Sequence, residues 1–112
     1  MHIAVAVSDN QVAAHFGHCE VFRVFQVNPV TAEIDGITDF TPPPHEPGRL
    51  PLWLKHIGAE VVISGGMGQR AQDLCRQHSI EPYCGISQQD PEEAVRAFLS
   101  GNLSAGENLC DH

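Results

Sequence analysis

The stretch HFGHCEVF, His15 to Phe22, sets two imidazoles and a thiol within five positions. Imidazole nitrogen and thiolate sulfur are the donors that suit zinc, copper, nickel or an iron–sulfur centre. The spacing i, i+3, i+4 would gather His15, His18 and Cys19 if the segment wound as a helix. Gly17 would let the backbone turn where a side chain obstructs. The alternative is a loop whose Phe16 plugs a core while both histidines face water. A second segment, VVISGGMGQRA, sets Gly65, Gly66, Met67 and Gly68 between an apolar run and a helical one. Such a turn aims backbone N–H groups at an anion, and the helix start adds partial positive charge. It matches neither the dinucleotide fingerprint nor the Walker A loop, and a plain tight turn is the competing reading. The third donor group is Cys110-Asp111-His112. It either reaches over to supply ligands or frays as a tail.

Other candidates carry less. Cys75 and His78 share a helical stripe with Leu74 and read as core and edge residues, Cys84 reads as packed, and His2, His45 and His56 read as solvated singles. Asp9 follows the first strand, but no second carboxylate sits at a matching strand end, which argues against a two-metal nuclease. A Cys19–His15 nucleophilic pair would need an oxyanion site that nothing in the sequence suggests.

The elements that must position these residues are legible from periodicity. HIAVAVS is an apolar run of the kind buried on both faces of a sheet. Asp9 to Cys19 reads as a loop, VFRVFQV as a second strand, and AEIDGITDF as a third, hairpinned to the second with a bulge at Gly36. TPPPHEPG carries four prolines in eight residues and must be a stiff connector, read as a surface loop rather than a lid. Leu50, Trp53, Leu54 and Ile57 follow helical spacing and Gly58 stands at the C-cap. EVVIS is a fourth strand. Ala71, Leu74, Cys75 and His78 stripe a second helix, and IEPYC is a short fifth strand. Asp90-Pro91-Glu92-Glu93 opens a third helix with Asp at the N-cap and Pro at N1, and Gly101 ends it. The order β-β-β-α-β-α-β-α predicts an α/β fold with a mixed five-stranded sheet and flanking helices. The expected domain is 1–101, followed by a flexible tail, 102–112. In such a sheet, loops after the first and fourth strands share the carboxyl edge where ligands gather. If those strands are neighbours, His15, His18 and Cys19 face Gly65 to Gly68 across one crevice.

With 112 residues the chain has room for one domain with a real core. A formal charge of -8, with six scattered Lys and Arg, offers no basic face for nucleic acid. The opening MHIAVAVSDN has no basic n-region and an apolar run far too short for a bilayer, so no membrane association is expected and the cytoplasm is the expected home. Reduced thiols follow from that location, and no C-x-x-C pair suggests a zinc ribbon or a thioredoxin motif.

Taken together, IAVAVSDN, HFGHCEVFRVF and VVISGGMGQRAQDLC resemble the dinitrogenase iron–molybdenum cofactor biosynthesis family, which takes in NifX-like proteins, the carboxyl-terminal domain of NifB and the orange protein of sulfate reducers. The resemblance runs from Met1 to about Leu99. It implies a ribonuclease H-like α/β fold; it does not imply nuclease activity. It also implies a non-catalytic role in binding, storing or passing on a metal–sulfur cluster: the iron–molybdenum cofactor, its precursor, or a molybdenum–copper sulfide. The family's histidine-bearing turn falls on His15 to Cys19 and its glycine loop on Gly65 to Gly68, and Cys110 and His112 resemble the Cys/His tail of some members. Arg70 would add charge beside the loop. A cluster donor or acceptor protein is the implied partner, in nitrogen fixation or in another setting. The competing expectations are a regulatory or interaction domain that binds no cluster, and an enzyme with a cysteine nucleophile. An exposed strand edge would permit a dimer without requiring one.

Overall fold

The structure is a computed structural model, and residues 1–103 are described. The chain folds as β1 (His2–Ser8), β2 (Gln11–Val12), β3 (Val21–Val27), β4 (Ile34–Phe40), α1 (Arg49–His56), β5 (Val61–Ile63), α2 (Gln69–Gln77), β6 (Glu81–Tyr83) and α3 (Pro91–Leu99). The sheet order is β4-β3-β1-β5-β6, with β2 paired to β1. β1 runs antiparallel to β3 and parallel to β5, and β5 runs parallel to β6. The sheet is therefore mixed, as the sequence pattern predicts.

β1 is central, and Ile3 to Val7 are all buried. Its alternation splits the core in two. Ala4 and Ala6 join Phe22, Val24, Leu54 and Cys75 beneath α1 and α2. Ile3, Val5 and Val7 join Phe25, Ile63, Ala94 and Val95 beneath α3. The small alanines face the side that carries two helices, where backbones approach closely.

One strand departs from the sequence expectation. Residues 9–19 are not loop throughout: β2 pairs Val12 with Val7 and Gln11 with Ser8. The sheet accordingly has six strands rather than five. The hairpin is closed by Asp9 and Asn10 with φ of 53° and 60°, the double left-handed geometry of a type I′ turn. An Asp-Asn pair lacks the glycine that normally flags that turn, and two residues of strand are too short to show alternation.

Elsewhere the local signals hold. Asp35 is the extra residue where the β3–β4 register shifts, beside Gly36. Gly58 has φ 89° and donates its N–H to the Lys55 carbonyl at 3.0 Å, closing α1. Asp90 accepts the Glu93 N–H at 3.1 Å, with Pro91 at the first helical turn. Among the described residues no helix is long and apolar enough to cross a membrane. The tail carrying Cys110 and His112 lies outside the described residues.

Candidate functional site

Because β1 and β5 are parallel neighbours, the chain leaves both at the same edge of the sheet. The two loops that follow are joined directly. Gly65 donates its N–H to the Ala13 carbonyl at 2.8 Å, Gly66 to Ala14 at 2.6 Å, and Phe16 to the Gly66 carbonyl at 2.9 Å. His15 and Gly66 pair as a single parallel bridge. Gly85, just past β6, adds its N–H to the Gly65 carbonyl at 2.8 Å, so three strand ends are stitched into one platform. The approach is close: a β-carbon built on Gly65 would fall 2.6 Å from the Ala13 oxygen. Only glycine fits there.

This stitching corrects two sequence expectations. The Gly65 and Gly66 N–H groups are not presented to an anion, since both are consumed by the neighbouring loop. Met67 is buried in the core beneath α1 and α2. The anion-facing part of the segment is reduced to Gly68 and the first turn of α2. There Gly68 is the N-cap without a side-chain cap, the first turn holds no acidic residue, and Arg70 is exposed. Uncapped N–H groups and the helix dipole make that end electropositive. The buried Gln72 side chain donates from Nε2 to the Met67 carbonyl at 2.9 Å and holds the turn in place.

The histidine turn is also not helical. His18 donates its N–H to the His15 carbonyl at 3.2 Å, a single tight turn. Phe16 is buried against Phe22, edge to face at 5.7 Å, while His15 and His18 are exposed and Cys19 is half-buried. Gly17 has open space where a β-carbon would go and no left-handed φ, so sterics do not demand glycine there. Among the described residues no three His, Cys, Asp or Glu side chains converge to hold a metal ion. His15, His18 and Cys19 therefore do not form a closed triad. Burial raises the Cys19 thiol to about 11, partly opposed by hydrogen bonds from the backbone at Val7 and at Cys19 itself.

What the turn does line is a cleft. Gly17, His18 and Cys19 form one wall, and Pro42, Pro43, His45 and Leu50 form the other, around about 220 Å³. A second, more apolar cleft of about 190 Å³ runs on from His45 and Leu50 to Phe16, Arg70, Ala71 and Leu74. Residues 41–48, read from the sequence as surface loop, are thus a wall of both clefts. His45, read as a solvated single, stands with its ring centre 6.2 Å from that of His18 and the planes 19° apart. No spacing in the sequence signals that neighbour, because the two lie 27 positions apart.

The fold and these clefts define a small mixed α/β protein with soft donors and an uncapped helix end grouped at the carboxyl edge of its sheet. The chain belongs to the dinitrogenase iron–molybdenum cofactor family, whose pattern matches residues 1–101. It is 26% identical over 106 residues to an uncharacterized protein of Methanocaldococcus jannaschii, covering 92% of this chain and 89% of that one. Its fold is similar to the crystal structure of PH0822, with a TM-score of 0.84 and 25% identity over 94% of each chain. It is also similar to the apo form of the orange protein from Desulfovibrio gigas, with a TM-score of 0.74 and 21% identity over 96% of this chain and 93% of that one. The latter likeness is one of fold.

Proposed function

We propose that this protein binds and carries a metal–sulfur cluster without transforming it, the cargo being the iron–molybdenum cofactor, its precursor or a related sulfide of iron, molybdenum or copper. The observation that carries this reading is the pairing of the 13–16 and 65–66 backbones. It keeps the donors of the histidine turn and the electropositive start of α2 on one edge of the molecule. Family membership supports the cargo class. The sheet order β4-β3-β1-β5-β6, with the first three strands antiparallel, supports a ribonuclease H-like topology as its scaffold.

His15, His18 and Cys19 supply soft donors to the metals, and Gly68 with Arg70 offsets the negative charge of the sulfides. Gly65 and Gly66 shape the backbone beneath them. An incomplete ligand set suits a carrier, because cargo held by one or two bonds leaves readily to an acceptor protein. The reading places the protein in the cytoplasm, where a donor delivers the cluster and an acceptor receives it.

Anaerobic reconstitution of the full chain with iron, sulfide and molybdate tests this. Visible absorbance and stoichiometric metal are expected, both lost in the His15→Ala, His18→Ala, Cys19→Ala triple variant. Equal loading of the triple variant would overturn the site. A protein that takes up no metal and instead co-purifies with a partner would overturn the function in favour of an interaction domain.

A further inference from the structure

The cleft beside the histidine turn has donors on both walls, and they come from segments far apart in the chain. His18 and Cys19 stand on one side and His45, carried by the proline strap at 41–48, on the other. With metal–nitrogen bonds of about 2.0–2.1 Å, each imidazole centre stands roughly 3.2 Å from the metal it binds. Two imidazoles on one ion therefore have centres about 5 Å apart at a tetrahedral angle and about 6.4 Å apart in line. The His18 and His45 rings are stacked, with centres 6.2 Å and planes 19° apart; the separation lies inside that range, and rotation of the rings is what brings their nitrogens onto a shared ion. Both side chains are exposed, so a rotamer change that turns their nitrogens toward a shared ion meets little packing resistance. The strap itself is stiffened by Pro42, Pro43, Pro44 and Pro47, which lowers the entropy lost when His45 is held in place.

We infer that His18 and His45 form a two-imidazole clasp on one soft or borderline transition-metal ion, the proline strap supplying the second half of the site. The inference rests on the carrier reading in taking this cleft as the berth for cargo, but it names a donor outside the histidine turn. Two nitrogens leave the remaining coordination positions open to sulfide or to water. That matches the absence of a closed three-ligand group among the described residues. It also makes the strap part of release, since the bond to His45 must break before cargo leaves.

Cobalt(II) alone, titrated into the full apo chain and followed by NMR, tests the clasp. The imidazole proton signals of His18 and His45 are expected to shift paramagnetically together, at the same cobalt concentration. Loss of a direct ligand costs at least as much as loss of an outer partner, so His18→Ala and His45→Ala should each weaken cobalt binding about tenfold or more. The double variant should bind little worse than either single one, because both residues serve one ion. Both positions are exposed, and unchanged apo melting temperatures are expected. If His45→Ala binds cobalt like the parent while His18→Ala does not, the strap contributes no ligand and the clasp is overturned, with the carrier reading intact. If cobalt shifts neither histidine, the clasp is likewise overturned, and anaerobic reconstitution of the parent chain decides the carrier reading separately.

Discussion

Gly65 lies against the Ala13 carbonyl, donating its N–H at 2.8 Å and leaving only 2.6 Å between that oxygen and the place a β-carbon would take. The carbonyl of Ala14 is nearer still to that place. These are backbone atoms of a strand-end loop, and they cannot swing aside as a side chain would.

Gly65→Ala should therefore part the two loops and cost at least about 2 kcal/mol, at the upper side of what overpacking typically exacts. Urea unfolding followed by circular dichroism reads this as a lower midpoint. Gly17→Ala is the contrast: with open space around it, its effect should stay within about 0.5 kcal/mol. Equal stability of the two variants would show that the loop junction bears no strain.

The thiols make stability fall at alkaline pH. Burial raises Cys19 to about 11 and Cys75 to about 12 from the ordinary 9.0, the latter against a smaller opposing effect of Arg76. The folded state holds these protons more tightly than the unfolded chain. The stabilisation is complete below pH 9 and is lost as pH rises toward 11 and 12. Urea midpoints should drop between pH 8 and pH 11, and the Cys19→Ala, Cys75→Ala variant should drop less over the same interval. Alkylation of Cys19 in the folded protein should likewise be slower at pH 8 than that of an exposed thiol.

Arg23 and Asp39 tie β3 to the outer strand β4 through two hydrogen bonds, Nε at 2.8 Å and Nη2 at 3.1 Å. The Arg23 hydrogen bond holds the Asp39 carboxyl below its ordinary 3.8. The stabilisation from this pair is present above that value and fades as pH falls through the lowered one. Asp39 is 46% exposed, so solvent screens the pair, and a double-mutant cycle with Arg23→Ala and Asp39→Ala should give less than about 1 kcal/mol at pH 7. The coupling should shrink further at pH 2.

Asp90 caps α3 through the Glu93 N–H. Asp90→Ala should cost about 1 kcal/mol and Asp90→Asn much less, since the amide oxygen still accepts that bond. Matched urea midpoints of the alanine variant and the parent would mean that the first turn of α3 is held by packing of Pro91 and Ala94 alone.

Short-range physics governs the elements that are legible in the order of residues alone. The apolar run Ile3 to Val7 specified a strand buried on both faces, Asp90-Pro91 specified a helix start, Gly58 specified a helix end, and the alternation after Leu50 specified parallel pairing. Each depends on residues within a turn or two of one another, where side-chain periodicity and backbone preference act directly. The Asp9–Asn10 turn escaped because its left-handed residues are not glycines.

Which groups can act depends instead on contacts between segments far apart in the chain. The N–H groups of Gly65 and Gly66 are spent on Ala13 and Ala14, His15 and His18 do not close a triad with Cys19, and His45 meets His18 across a proline strap. A hydrogen-bond donor or a metal ligand is available only if no other part of the chain has claimed it, and only if a partner stands within a few ångströms. Both conditions are set by chain segments distant in sequence, whose meeting is fixed by how the sheet orders its strands and not by any local spacing of residues.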